Sequence, residues 1–280
     1  MTTVHVIGAT GFIGQHLLEA AHGIGNATGT SSRTTDGLAK LALENPECFD
    51  YSEIGSGDIA FVTAAISSPD VCANQRDRAW QVNVEGSSAV ISKIRARNAR
   101  VIFFSSDAVY GEREPEFDEG GLPQPCGEYA EMKRAVEERF ADDEGFKAIR
   151  LSYVFARDDK FTSYLLHCAS TSVPAEIFHP FYRAPIHRDD VIRGVLALAT
   201  RWNEFPERII NFGGPQILSR IEFASVIKAR ALPQLEISIK VPEADFFMNR
   251  PRHISMRSPV LQRLLEGKTS TIAEAVDIEL

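Results

Sequence analysis

Val4-His5-Val6-Ile7 is a short apolar-rich run that stops at Gly8, and it predicts a buried first strand. Residues 15–21 follow a glycine-rich turn and read as a helix. Residues 27–30 predict a second strand, and residues 58–65 a further strand ending in small side chains. Residues 76–97 have helical character and form one or two helices. Arg100-Val101-Ile102-Phe103-Phe104-Ser105-Ser106 is the clearest strand signal in the chain. Residues 129–141 predict an amphipathic helix, with Met132, Val136 and Phe140 at the spacing of one face. Residues 147–151 predict the next strand.

Strands that alternate with helices imply parallel βαβ units with right-handed crossovers, and so a sheet covered on both faces. The expected class is α/β, a doubly wound parallel sheet. Regularity fades after about residue 155. Residues 1–157 and 184–212 are expected to form the sheet domain, and residues 158–183 and 213–280 a smaller lobe. Ligands in such folds bind at the carboxyl ends of the strands, which puts the expected cleft between sheet and lobe.

The chain has 280 residues, enough for a substantial core, with 38 acidic and 30 basic side chains and a net charge of −8. That balance argues against a general nucleic-acid binder. The four cysteines, Cys48, Cys72, Cys126 and Cys168, make no C-x-x-C and no zinc-ligand spacing, so reduced thiols and no metal site are expected. No secretory signal and no apolar run of about 18 residues is visible, and a cytoplasmic protein without a membrane segment is the expectation.

Gly8-Ala9-Thr10-Gly11-Phe12-Ile13-Gly14 spells G-x-x-G-x-x-G between a strand and a helix. Glycines there allow a tight turn, close backbone approach to a pyrophosphate, and helix-on-strand packing. The helix N-terminus offers free N–H groups to the phosphates. The second strand leads into Ser31-Ser32-Arg33, where an acidic residue would hold a free ribose hydroxyl. Arg33 can pair with a 2′-phosphate and the hydroxyls can donate to it, so NADP is expected ahead of NAD.

Tyr129 and Lys133 stand at i and i+4, on one helix face. A nearby ammonium favours the phenolate, so the expectation is a phenol of lowered pKa that can transfer a proton near neutrality. Carbonyl reduction needs such a group, because hydride reaches carbon while a proton reaches oxygen. Ser106 ends a central strand and could align the substrate oxygen, although a serine there can equally cap the following turn.

Together these residues resemble an extended short-chain dehydrogenase/reductase. The resemblance rests on G-A-T-G-F-I-G at 8–14, Ala64-Ala65 ending a strand, V-N-V-E-G at 82–86, S-S-D-A-V-Y-G at 105–111 and Y-A-E-M-K at 129–133. It is closest to the dTDP-4-dehydrorhamnose reductase group, whose later motifs are loosely matched by residues 184–191 and Arg250-Pro251. The resemblance implies Tyr129 as proton donor, Lys133 as ribose holder, Ser106 as orienter of the carbonyl, and Asn83 as support for the Lys133 helix and a relay water. It implies Gly8, Gly11 and Gly14 beside the pyrophosphate, with Thr10, Phe12 and Ile13 in the same loop. Asp50 and Tyr51 are expected near the adenine, Ala64 and Ala65 along the cofactor, and Val154 where the next strand passes the nicotinamide. Family dehydratases carry Asp-Glu after the hydroxyl residue; here Asp107 precedes Ala108, which argues against elimination chemistry.

The implied substrate is a nucleoside-diphosphate sugar, with Asp107 beside it. Its diphosphate needs cations, for which Arg183, His187 and Arg250 are the candidates and Arg252 competes with Arg250. The leading expectation is reduction of a keto group on a 6-deoxy sugar nucleotide. The alternatives are an epimerase that retains its NAD and a non-catalytic NADP(H)-binding regulatory subunit. Helices near 76–97 and 129–141 resemble the family's dimer surface, so a homodimer is expected.

Overall fold

The computed structural model describes residues 2–280. It opens with β1 (Thr3–Ile7), α1 (Gly14–Ala21), β2 (Asn26–Ser31), β3 (Ala39–Lys40) and β4 (Ile59–Val62). α2 (Pro69–Asn74) and α3 (Arg76–Trp80) pass through a π-helical turn (Gln81–Gly86) into α4 (Ser87–Arg95). β5 (Arg100–Ser106), β6 (Arg113–Phe117), α5 (Glu128–Arg139), β7 (Phe146–Leu151) and β8 (Val154–Phe155) come next. Then follow α6 (Lys160–Thr171), β9 (Ala175–Phe178), β10 (Tyr182–Arg183), β11 (Ile186–His187), α7 (Arg188–Thr200) and β12 (Ile209–Phe212). The chain ends with β13 (Leu218–Ser219), α8 (Arg220–Arg230), β14 (Ile237–Lys240), β15 (Ile254–Met256), α9 (Pro259–Leu264) and α10 (Ile272–Glu279).

Seven strands form one parallel sheet in the order β3-β2-β1-β4-β5-β7-β12. Strand alternation sorts its side chains onto two cores. Val4, Val6, Ile59, Phe61, Ile102 and Phe104 point to the face covered by α1, α7 and α9. Ile7, Ala60, Val62, Val101 and Phe103 point to the face covered by the helices between Pro69 and Arg139. This is the Rossmann-type doubly wound arrangement. The strand order reverses between β1 and β4, and the crevice at that switch point is where such sheets bind ligands.

A third core gathers Phe155, Leu165, Ile177, Phe223, Ile227 and Leu235 with Ile272 and Val276 of α10. It is built from the later part of the chain and from a short parallel pair, β9 with β14. α9 lies within the stretch 213–280 but packs Val260, Leu261 and Leu264 against the main sheet instead. Its short apolar run carries no signal of which core it joins. Among the described residues no helix is long and apolar enough to cross a membrane. All four cysteines are free, with Cys72 and Cys168 buried.

Candidate active site

The carboxyl ends of β1, β4 and β5 open into a cleft of about 460 Å³ lined by Gly8, Thr10, Gly11, Phe12, Ile13, Gly14, Ser32, Ala64, Ala65, Tyr129 and Lys133, among others. Its floor is shaped by the glycines. A Cβ on Gly14 would stand 2.2 Å from the Gly8 carbonyl oxygen, and one on Gly8 would stand 2.8 Å from the Ala64 nitrogen. Gly8 also holds a φ of +97°, which an L side chain resists. The turn, the first helix and the loop after β4 therefore meet with no room for a side chain. No side chain caps the N-terminus of α1, and although the Gln15 amide donates to the Gly11 carbonyl at 3.1 Å, the helix still presents its positive end to the cleft. Such a cradle fits a dinucleotide pyrophosphate.

At the end of β2, Ser32 lines the cleft while Ser31 is buried. The Ser31 hydroxyl accepts from the Arg33 amide and the Thr35 hydroxyl, both at 3.2 Å, and so shapes the turn. Arg33 is exposed and stands outside the lining residues. Asp50 and Tyr51, expected near the adenine, are not among the residues lining the cleft, whose wall beyond β3 is formed by Leu41, Leu43 and Glu44. β3 brings the chain to the sheet edge, so the residues immediately after it reach the cleft. Asp50 instead accepts from the Ser52 amide at 2.8 Å, and Tyr51 is buried in the core, donating to the Pro46 carbonyl at 3.0 Å. Val154 pairs with Ile186 and packs toward the first core, while Leu151, three residues earlier, lines the cleft.

α5 brings Tyr129 and Lys133 to the cleft on its inner face. The Lys133 ammonium is 2% exposed, donates to the Phe104 carbonyl at 2.7 Å, and lies 5.8 Å from the centre of the Tyr129 ring. The expected lowering of the phenol pKa is reversed. Burial dominates and pushes it up, helped by Cys72 and Asp107 nearby. Burial also pulls Lys133 down to about 8, opposed by the Glu137 carboxylate. Ser106 is half-buried and takes the capping role: its hydroxyl accepts from the Ala108 amide at 3.2 Å. Asn83, in the π-helical turn, clamps Ile66 by accepting from its amide at 2.8 Å and donating to its carbonyl at 2.9 Å. Its amide also lies 3.7 Å from the Met132 sulfur on α5. Asn83 thus fixes the cleft loop against the helix that carries Tyr129 and Lys133. π-helical turns recur at functional sites.

The three cations expected to grip a diphosphate are already engaged. Arg183 donates to the carbonyls of Tyr182 and Pro251 at 2.6 and 2.7 Å, and its Nε lies 3.7 Å from buried Asp107. Asp107 also accepts from Ser152 at 2.8 Å, and burial raises its pKa. His187 is buried and bonds Glu279 at 2.9 Å, away from the cleft. Ligand atoms of His187, Asp189 and Glu279 lie within 4.8 Å of one another. Arg188 pairs with both of those carboxylates, so the cluster already contains its cation. Arg250 pairs with Asp70 on α2, and Arg252 stacks on Phe247 at 4.7 Å.

Arg220 was not foreseen. Its guanidinium stacks on Phe161 and Phe181 at 5.0 and 4.5 Å. Among the described residues no acceptor pairs with it. It borders a recess of about 330 Å³ shared with Tyr153, Lys160, Phe161, Tyr164, Glu176 and Phe178. Serine at 219 followed by Glu222 was a readable helix-start signal, but nothing in the sequence distinguished Arg220 from a surface charge.

The model of the family described as "RmlD substrate binding domain" matches residues 1–278. Among curated proteins, methionine adenosyltransferase 2 subunit beta of Pongo abelii is 25% identical over 214 residues, covering 73% of this chain and 64% of the relative. The chain thus spans less than two thirds of that relative's length. Among solved structures, a hypothetical dTDP-4-dehydrorhamnose reductase from Sulfolobus tokodaii superposes with a TM-score of 0.83 at 23% identity, covering 97% of each chain. The UDP-glucuronic acid 4-epimerase of Bacillus cereus, in complex with UDP-glucuronic acid and NAD, superposes with a TM-score of 0.77 at 18% identity, covering 99% of this chain and 98% of its own. Those two likenesses establish the fold. The match over nearly the whole length establishes more: the chain belongs to the RmlD substrate-binding-domain family.

Proposed function

We propose that this chain reduces a keto group on a nucleoside-diphosphate sugar of the 6-deoxy class, with NADPH preferred and NADH possible. The observation that carries the reading is the Tyr129–Lys133 pair beside a glycine cradle in one cleft. A bound reduced nicotinamide supplies the hydride. Tyr129 starts protonated, because burial holds its proton, and its Oη–H passes that proton to the carbonyl oxygen. The Lys133 ammonium then favours the phenolate left behind and is placed to hold the ribose. Ser106 orients the carbonyl once its hydroxyl turns from the Ala108 amide toward the substrate. Arg33, exposed and with no acid at the end of β2, supports the NADPH preference.

Arg220, which has no acceptor among the described residues and borders an aromatic recess, is the cation we assign to the substrate diphosphate. Arg183 and Arg250 can contribute only by giving up their present partners. The division into a dinucleotide domain and a substrate lobe is part of the same proposal. For the proposed homodimer, none of the exposed large apolar side chains among the described residues lies on α3, α4 or α5.

The test is absorbance of the reduced nicotinamide with a panel of 4-keto sugar nucleotides. Oxidation that disappears in Tyr129→Phe supports the reading. No oxidation with any of them, with cofactor binding intact, contradicts it. NAD retained through purification, with no net cofactor consumption, would mark the epimerase alternative.

A second reading, a non-catalytic dinucleotide-binding regulatory subunit, is favoured by the curated relatives, each described as a methionine adenosyltransferase 2 subunit beta. Undiminished biological activity of Tyr129→Phe would select it.

A further inference from the structure

We propose that Glu137 is a positioning residue for the Tyr129–Lys133 pair, a buried carboxylate that holds α5 in register with the ends of β5 and β7. Glu137 lies one helical turn beyond Lys133 and two beyond Tyr129, on the same face of α5. Its side chain is 0% exposed. Ser105 donates to its Oε1 at 2.6 Å. Arg150 donates from Nε to Oε1 at 3.0 Å and from Nη2 to Oε2 at 2.6 Å. Ser105 and Arg150 face each other in the β5–β7 register, so one carboxylate ties the helix to two adjacent central strands.

Lys133 adds a second tie, from its ammonium to the Phe104 carbonyl. Successive residues of β5, Phe104 and Ser105, are therefore fastened to successive turns of α5. The next residues along each strand are Ser106 on β5 and Leu151 on β7. A shift of the helix against these strand ends would separate the Tyr129 phenol from the Ser106 hydroxyl proposed to share its substrate oxygen. Misplacement by about 1 Å can cost about a hundredfold in rate.

Stability alone does not explain the pair. Apolar residues of similar volume often replace a buried ion pair at no loss, whereas removing one partner is strongly destabilising. Arg150 is 2% exposed and stacks on Tyr110 at 4.5 Å, so its charge has no route to solvent. The groups facing Lys133 are Glu137 and Tyr129 on its own helix and the Cys72 thiol on α2, with Arg150 on β7 and Arg134 on α5, its Nη1 3.3 Å from Oε2, both on the carboxylate, and Asp107 beyond Tyr129. Glu137 is the carboxylate that opposes the effect of burial on the ammonium.

The inference rests on Tyr129 and Lys133 being the proton-transfer pair, and the test separates the two claims. Glu137→Gln keeps the shape and one acceptor but removes the charge. Glu137→Gln/Arg150→Met removes both charges and guards against a single variant that fails to fold. NMR of isotopically labelled lysine, assigned with Lys133→Met, follows the Lys133 titration without any need for turnover. The expected result is a midpoint lowered by about one unit in Glu137→Gln and by less in the double variant, with kcat down about tenfold or more and KM little changed. An unchanged Lys133 titration in a folded variant would overturn the proposal, even if stability fell. A shifted titration in a protein whose wild type turns over no keto sugar would uphold Glu137's hold on Lys133 and count against the reductase reading alone.

Discussion

Tyr129 and Lys133 share an interior in which neither charged form is comfortable. Burial holds the phenol protonated and draws the ammonium down to about 8. The sign for activity follows: raising the pH through about 8 removes the Lys133 charge that favours the phenolate, so kcat of the proposed reaction falls on the alkaline side of that value. Lys133→Met should be slow at every pH and lack that limb. A wild-type profile flat up to pH 10 would contradict the assignment. Arg220 offers a second test at this scale. A charge-assisted contact to phosphate is worth about 1.5–3 kcal/mol, so Arg220→Ala should weaken binding of a nucleoside diphosphate by about tenfold or more. Calorimetry would check it, and unchanged affinity would return Arg220 to a packing role. The glycine loop and the Y-x-x-x-K spacing were legible in the sequence because their spacing is itself the signal. Arg220 was not, because an arginine at a helix start says nothing of the Phe161 and Phe181 rings folded against it. Nor could sequence show that burial would outweigh the Lys133 charge at Tyr129.

Strands and helices with strong periodicity stood out along the chain, and weakly patterned pieces did not. β5 was expected over Arg100–Ser106 and has those bounds. β3 has two residues and no alternation, yet it turns the chain so that Leu41, Leu43 and Glu44 wall the cleft where Asp50 and Tyr51 were expected. The helical stretch from Arg76 contains a π-helical turn that no spacing announces, and Asn83 within it clamps Ile66, a contact distant in sequence. Two short signals were readable: Ser219 with Glu222 and Thr271 with Glu274 both form capping boxes, on α8 and α10. Ser219→Ala should cost about 1 kcal/mol. That corresponds to a melting midpoint about 2–4 °C lower. Gly14→Ala tests the cradle more severely. Its Cβ would overlap the Gly8 carbonyl, so dinucleotide binding should be lost, and retained binding in a folded variant would refute the cradle's role.

Across the whole molecule, the parallel, doubly wound class follows from alternating elements and right-handed crossovers, and the sequence carried that much; the strand order itself is a finding of the structure. The assignment of later segments to a lobe was less legible, since α9 and α10 are both short amphipathic helices and only tertiary packing sends them to different cores. The base of the sheet also contains buried Lys147, whose ammonium donates to the Glu207 carbonyl at 2.9 Å and is pulled down to about 8 by burial. Between about 8 and the ordinary lysine value of 10.5, the unfolded chain binds a proton that the folded chain releases. This contribution to stability therefore rises with pH across that window and is lost as pH falls through about 8. Lys147→Met should flatten that part of the denaturation profile, and an unaltered slope would show Lys147 to titrate normally. The helices expected to pair two copies carry internally matched charges, such as Glu85 with Arg139 and Arg134 with Glu138. The most direct test of the proposed chemistry is isotopic. With NADPH deuterated at the transferable position and a 4-keto sugar nucleotide, mass spectrometry should find one deuterium on the carbinol carbon of the product, and none when Tyr129→Phe replaces the wild type. An unlabelled product, or equal labelling by both proteins, would contradict hydride reduction with Tyr129 as the acid.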